Sequence, residues 1–202
     1  MVPLPEIILS HASTLPEGAV LSPKEFLHQA TRAAIDQAFS RLARDGKLIR
    51  IDRGAYVAPL PHWSGTRLPS PAKVVEAFAL QNGELVAVDG AIAANAFGLT
   101  KEVPVHQVYV TSGRTRKIHL GSSEVLLKHV PSWMLALGSG PAGNAVRALA
   151  WMGPGNAGKS VATVRKTLPS QDWAVLASSR AAFPSWLAQA IGKEASNGET
   201  VS

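Results

Sequence analysis

The clearest hydrophobic pattern in the chain lies between Thr31 and Gly46. Ile35, Ala38, Phe39 and Leu42 repeat at i, i+3, i+4 and i+7, one apolar stripe of an amphipathic helix. Thr31 is a good N-cap, and Gly46 a natural stop. Ala33, Gln37, Ser40, Arg41 and Arg44 fall on the other face. Two shorter helical segments precede this one. The first spans about Pro5 to His11, with Ile7, Ile8 and Leu9 apolar. The second, SPKEFLHQA, opens with a capping box of Ser22 and Glu25 and has Pro23 at its first position; Phe26 and Leu27 are its expected buried residues. After Gly46, Leu48 to Ile51 and Ala55 to Ala58 read as two short strands joined by Asp52-Arg53-Gly54. Helix, short helix, helix and hairpin, in that order, predict a winged helix-turn-helix over residues 1–60.

The period is lost at PLPHWSGTRLPSP, residues 59–71, where four prolines predict a linker, taken as 61–71. Residues 72–192 form the expected second domain. PAKVVEAFALQNG is a helix with Val74, Val75, Phe78 and Leu80 inward, and ELVAV is a buried strand. DGAIAANAFGLT is a small-residue helix capped by Asp89 and closed by Gly98. VHQVYVT, TRKIHLG and EVLLKHV read as strands. Helices are expected at about 133–137, 143–152, 159–168, 170–179 and 185–191, and 193–202 as a frayed tail. The fold class is therefore α+β: a winged helix, then a mixed α/β domain with a small sheet and a helical C-terminal part.

Composition narrows the classes. The chain has 202 residues, 46% of them hydrophobic and 17% charged, enough apolar material for one large or two small cores. With no cysteine, disulfides and thiolate metal sites are excluded, and a cytoplasmic setting is expected. There is no basic, apolar leader at the N-terminus and no run of 18 apolar residues, so neither a signal peptide nor a membrane span is expected. The formal net charge of +6 favours a polyanionic partner. Residues 1–60 hold seven Lys and Arg against six Asp and Glu, but five of those seven cluster from Arg41 to Arg53.

Residues 153–160, GPGNAGKS, match the phosphate-binding pattern G-x-x-x-x-G-K-[ST]. That motif needs a buried strand leading into the glycine loop. GNAVRALAWM precedes it instead, and reads as a helix ending at Gly153. The expected state is a polar loop and then a helix with Lys159 in solvent; a nucleotide-binding role for Gly153 to Ser160 is the lesser alternative. No HExxH, GxSxG or HRD segment occurs. The histidines (His11, His28, His62, His106, His119 and His129) have no recognised ligand spacing, so no catalytic, metal or cofactor site is expected. Asp89 is read as a cap, and Thr111 to Lys117 as a cationic turn containing Arg114, Arg116 and Lys117.

In a winged helix the third helix can enter a major groove. Gln37 can then read adenine bidentately, and Arg41 or Arg44 can read guanine or hold phosphate. Arg50 and Arg53 are placed for phosphates or a minor groove, and Lys47 belongs to the same cluster. A winged helix used only for protein contacts remains the alternative.

Two stretches, IDQAFSRLARDGKLIRIDRGAYVAP and ELVAVDGAIAANAFGLTKEVPVHQVYVTSGRTRKIHLGSSEVLLKHV, with the helix ending ALAWMG, resemble the AbiEi-like antitoxins of type IV toxin–antitoxin systems, including the related domain-of-unknown-function group. The resemblance covers roughly residues 15–153. It implies an N-terminal winged helix that binds inverted repeats in its own promoter, and a C-terminal domain that counteracts a nucleotidyltransferase-like toxin encoded beside it, directly or functionally. By the resemblance, Gln37, Ser40, Arg41, Arg44 and Arg53 are double-stranded DNA contacts, with Thr31 and Arg32 at the helix entry. Arg114, Arg116 and Lys117 lie on a basic surface of the antitoxin domain. It implies no catalytic residue. The alternative is a winged-helix transcription regulator with a ligand- or protein-binding C-terminal domain and no toxin.

Overall fold

The structure, a computed structural model, describes residues 2–102 and 107–199. It is mixed α/β and divides into two compact units, Met1–Glu84 with Arg116–Leu126, and Leu85–Thr115 with Leu127–Ser202.

The first unit opens with α1 (Leu4–Thr14), which buries Ile8 and Ala12. Strand β1 (Val20–Leu21) leads to a 3-10 turn at Pro23–Phe26, held by both arms of the Ser22–Glu25 capping box. Phe26 is buried, but Leu27 is 49% exposed. The expectation of a buried Leu27 assumed a full helix. The turn ends at Phe26, and Leu27 is its cap. Helix α2 (Arg32–Arg44) buries Ile35, Ala38, Phe39 and Leu42, the stripe the spacing predicts. Strands β2 (Ile49–Asp52) and β3 (Ala55–Val57) form an antiparallel hairpin, and β1 pairs on the far side of β3, giving the order β1-β3-β2.

The segment read as a linker is ordered. β4 (Leu60–His62) pairs with β5 (Gly65–Arg67) as a separate two-stranded hairpin. Pro61 fits because neither strand has a second neighbour that would need its missing N–H. Helix α3 (Pro71–Gln81) follows in the same unit and buries Val74, Val75, Phe78 and Ala79. Leu80, expected inward, is 82% exposed because it falls on the opposite side of the helix from that stripe. Glu17 ties the hairpin and α3 to the β1 side. Its carboxylate accepts from Lys73 at 2.6 Å, Arg67 at 3.1 Å and the Ser70 N–H at 3.0 Å.

The chain then forms β6 (Val86–Val88), α4 (Gly90–Ala96), β7 (Gln107–Thr111), β8 (Arg116–Leu120) and β9 (Ser123–His129), with sheet order β6-β7-β9-β8. Val105 and His106, expected in the β7 strand, lie outside the described residues. β8 and the start of β9 return to the first unit, where β8 lies along β2.

The second unit is completed by α5 (Pro141–Met152), α6 (Ala157–Thr167), α7 (Ser170–Ser178) and α8 (Ser185–Glu199). Val146, Leu149, Val161, Val164, Leu176, Leu187 and Ile191 share its core. The helix expected near 133–137 is only a 3-10 turn at Ser132–Met134. The expected frayed tail begins as helix, since α8 runs on through Glu199; Ala195 packs on the core and extends the helix past 192. Gly90 starts α4 where it meets α5 so closely that a Cβ would stand 2.7 Å from the Arg147 carbonyl. No helix among the described residues is long and apolar enough to cross a membrane.

Candidate nucleic-acid interface

Packing fixes how α2 stands on the first unit. Phe39 on its inner face meets Tyr56 of β3 at 4.9 Å between ring centroids and Phe26 at 5.6 Å. Phe26 in turn meets His11 of α1 at 5.5 Å. The aromatic row locks the rotation of the helix, so its other face must point to solvent. Thr31 caps the start by accepting from the Ala34 N–H at 3.4 Å.

That outer face carries Ala33, Gln37, Ser40 and Arg44 at i, i+4, i+7 and i+11, one line down the middle of the helix, and all four are exposed. Arg41, also exposed, flanks the line on one side. Arg32 and Asp36 flank it on the other. Arg32 is engaged: its Nε donates to both Asp36 oxygens, at 2.8 and 3.0 Å. Arg44 is 4.0 Å from Asp45 with its side chain 75% exposed, a loose contact of little strength. Gln37, Ser40 and Arg41 make no side-chain hydrogen bond or ion pair among the described residues.

The hairpin adds cations. Arg53 sits at the turn, where its N–H donates to Asp52 Oδ1 at 2.7 Å and Gly54 takes φ +69°. Its guanidinium stays exposed. Arg50 projects from β2, its Nε 3.4 Å from the Asp52 carbonyl. Lys47 is exposed too, but it borders a cavity of about 280 Å³ beside Leu9, Leu15 and Leu60. From Thr31 to Arg53 there are six Lys and Arg against three Asp. This excess lies on the α2 face and the hairpin of a unit that is otherwise nearly balanced.

The second cationic group does not hold together. Arg114 is exposed, but Arg116 is withdrawn from solvent. It shares a face of β8 with buried Ile118 and Leu120, so strand alternation turns it inward, where it forms a bidentate pair with Glu84 and lies 4.7 Å over the Phe78 ring. Lys117, on the exposed face, pairs with Glu124 across the hairpin at 2.7 Å. Of the three, Arg114 alone has no ion pair among the described residues and is exposed.

Residues 153–156 join two helices, and residues 157–160 are the first turn of the second. α5 ends at Gly153, whose φ of +74° makes it a helix stop, and α6 starts at Ala157. Ser160 is 2% exposed on the core side of α6, while Lys159 points to solvent. The strand a phosphate loop requires is missing, and the serine that would meet a metal ion faces the core. Asp89 caps α4, accepting from the Ala91 N–H at 2.9 Å. His11 lies 3.5 Å from Glu25, His119 3.8 Å from Glu124, and His129 Nδ1 is 2.7 Å from the Gly113 carbonyl.

Arg147, on α5 in the second unit, is fully buried and pairs with no carboxylate among the described residues. It donates to the carbonyls of Met134 and Gly138 and to Asn144 Oδ1, at 3.2, 2.8 and 2.6 Å. Burial pushes its pKa down to about 10, so it stays charged at neutral pH. The sequence signal for it was a lone arginine inside an otherwise apolar helical turn.

A family model matches residues 7–171, from α1 into α7. The chain belongs to the family of unknown function DUF6088. The matched span of this DUF6088 chain takes in the α2 face, the β2–β3 hairpin and the whole of 153–160. No curated protein and no solved structure matches.

Proposed function

We propose that this chain is a DNA-binding antitoxin of the cytoplasm, which represses its own operon and counteracts a nucleotidyltransferase-like toxin. The observation that carries the DNA-binding part is the exposed polar and cationic face of α2, in the same unit as the exposed Arg53 of the β2–β3 turn. The topology supports a winged-helix reading: a three-stranded sheet in the order β1-β3-β2 packs against α1, a 3-10 turn and α2, with the β2–β3 turn as the wing. In this reading α2 lies in the major groove. Arg41 and Arg44 hold phosphate or guanine, and Arg50 and Arg53 hold the flanking backbone. Repression follows from occlusion of the promoter. The antitoxin part rests on the resemblance of the 84–130 stretch to the AbiEi-like antitoxins.

A reporter fused to the chain's own upstream region tests the first part. The full-length protein lowers expression, and the double variant Arg41→Ala/Arg44→Ala restores it. Co-expression with the product of the adjacent gene tests the second part. Growth arrest by that product alone, relieved by this chain, is the expected result. A neighbour that is harmless, or whose arrest is not relieved, removes the antitoxin assignment and leaves a regulator.

A further inference from the structure

The arrangement of α2 goes further than a general affinity for DNA, provided the winged-helix reading holds. Its outward line begins without charge. Ala33, Gln37 and Ser40 occupy the centre, and the cations stand beside or beyond them at Arg41 and Arg44. The one arginine near the start, Arg32, has its Nε edge taken by Asp36. A cation held by a carboxylate that closely is a poor reader of guanine, whose O6 and N7 attract an uncommitted guanidinium. Gln37 has the opposite character: it is exposed, makes no side-chain hydrogen bond among the described residues, and is flanked one turn earlier by a side chain no larger than a methyl group.

A free glutamine amide offers one donor and one acceptor side by side, the complement of adenine N7 and N6. The Ala33 methyl, exposed one turn before it, is the complement of a thymine methyl and lets the helix backbone approach closely. We infer that Gln37 is the specificity-determining residue of the interface, and that it selects an adenine, with a thymine methyl seated on Ala33. The two Cα positions are about 6 Å apart along the helix, so the two bases fall within about two steps of each other. In this assignment Arg41 and Arg44 hold phosphate rather than guanine and supply affinity that is blind to sequence.

Selection from a pool of randomised duplexes tests this with the full-length chain. Gln37→Ala is a safe variant, since the residue is exposed and alanine favours helix; its melting temperature is checked against wild type. Wild type selects a site with an invariant adenine. Gln37→Ala still binds, but its preference at that position drops on the order of tenfold, while the other positions stand. Gln37→Glu moves the selected base toward cytosine, whose N4 donates to a carboxylate. Arg41→Ala weakens binding to every sequence alike. If wild type selects a site and Gln37→Ala selects the same bases, the assignment of Gln37 is overturned and the DNA-binding proposal stands. If wild type selects no site over scrambled duplex, both fall.

Discussion

Single residues divide the α2 face into parts with different expected signatures. Arg41 and Arg44 extend into solvent with no firm internal partner, so removing either changes little in the fold. Alanine at either position is expected to weaken binding to upstream DNA several-fold. It should also lower the slope of log K against log salt by about 1, as the loss of one phosphate contact does. Fluorescence anisotropy at several salt concentrations measures both. Unchanged affinity and slope in the two variants would move the interface off this face. Much at this scale was legible in the sequence. The buried stripe Ile35–Ala38–Phe39–Leu42, the Thr31 and Asp89 caps and the Ser22–Glu25 box stand as the spacing predicts. Each depends only on residues a few positions apart. Arg116 was misread because a run of basic letters hides strand alternation, and its partner Glu84 lies 32 positions away.

At the scale of elements, ion pairs and buried polar groups hold segments that the hydrophobic pattern leaves undefined. Glu17 fastens the β4–β5 hairpin and the start of α3. Lys73, the Ser70 N–H and Arg67 hold its carboxyl at about 2, well below the usual 4.5. A carboxyl lowered on folding stabilises the native state fully above its unfolded pKa, and this contribution disappears as pH falls through the folded value. Wild type should therefore melt above Glu17→Gln at pH 6. The gap should narrow below about pH 4.5 and close near pH 2. A constant gap over that range would mean that the carboxylate charge is not what holds the hairpin. In the second unit Arg147 clasps the 3-10 turn at Ser132–Met134 and the chain after it onto α5. Arg147→Met would leave two carbonyls and the Asn144 amide oxygen short of a donor. The expected cost is about 2–4 kcal/mol in urea unfolding. Arg147→Lys should recover little of it, because an ammonium lacks the fork that reaches three acceptors. Full recovery by lysine would show that charge alone suffices. Neither device was legible beforehand. A hairpin of prolines, His62 and Trp63 has no apolar alternation to read, and a buried arginine is recognised only by the carbonyls around it.

For the whole molecule, the sequence places the main division at the prolines of residues 59–71, whereas the compact units divide at Glu84 and again at residues 116 and 126. The cause is non-local. β8 lies along β2 from nearly seventy positions away, and no window of sequence contains both strands. The mixed α/β class and most of the longer helices and strands were legible; the short β1, the β4–β5 hairpin and the return of 116–126 to the first unit were not. The central claim is that the first unit reads DNA. It is tested most directly by titrating purified full-length protein against its own upstream DNA and a scrambled duplex of equal length, at several salt concentrations. The account predicts binding to the native fragment at least about a thousandfold tighter than to the scrambled one, with a steep salt slope. Equal, weak binding to both duplexes would contradict it and leave a cationic helix face without a sequence to read.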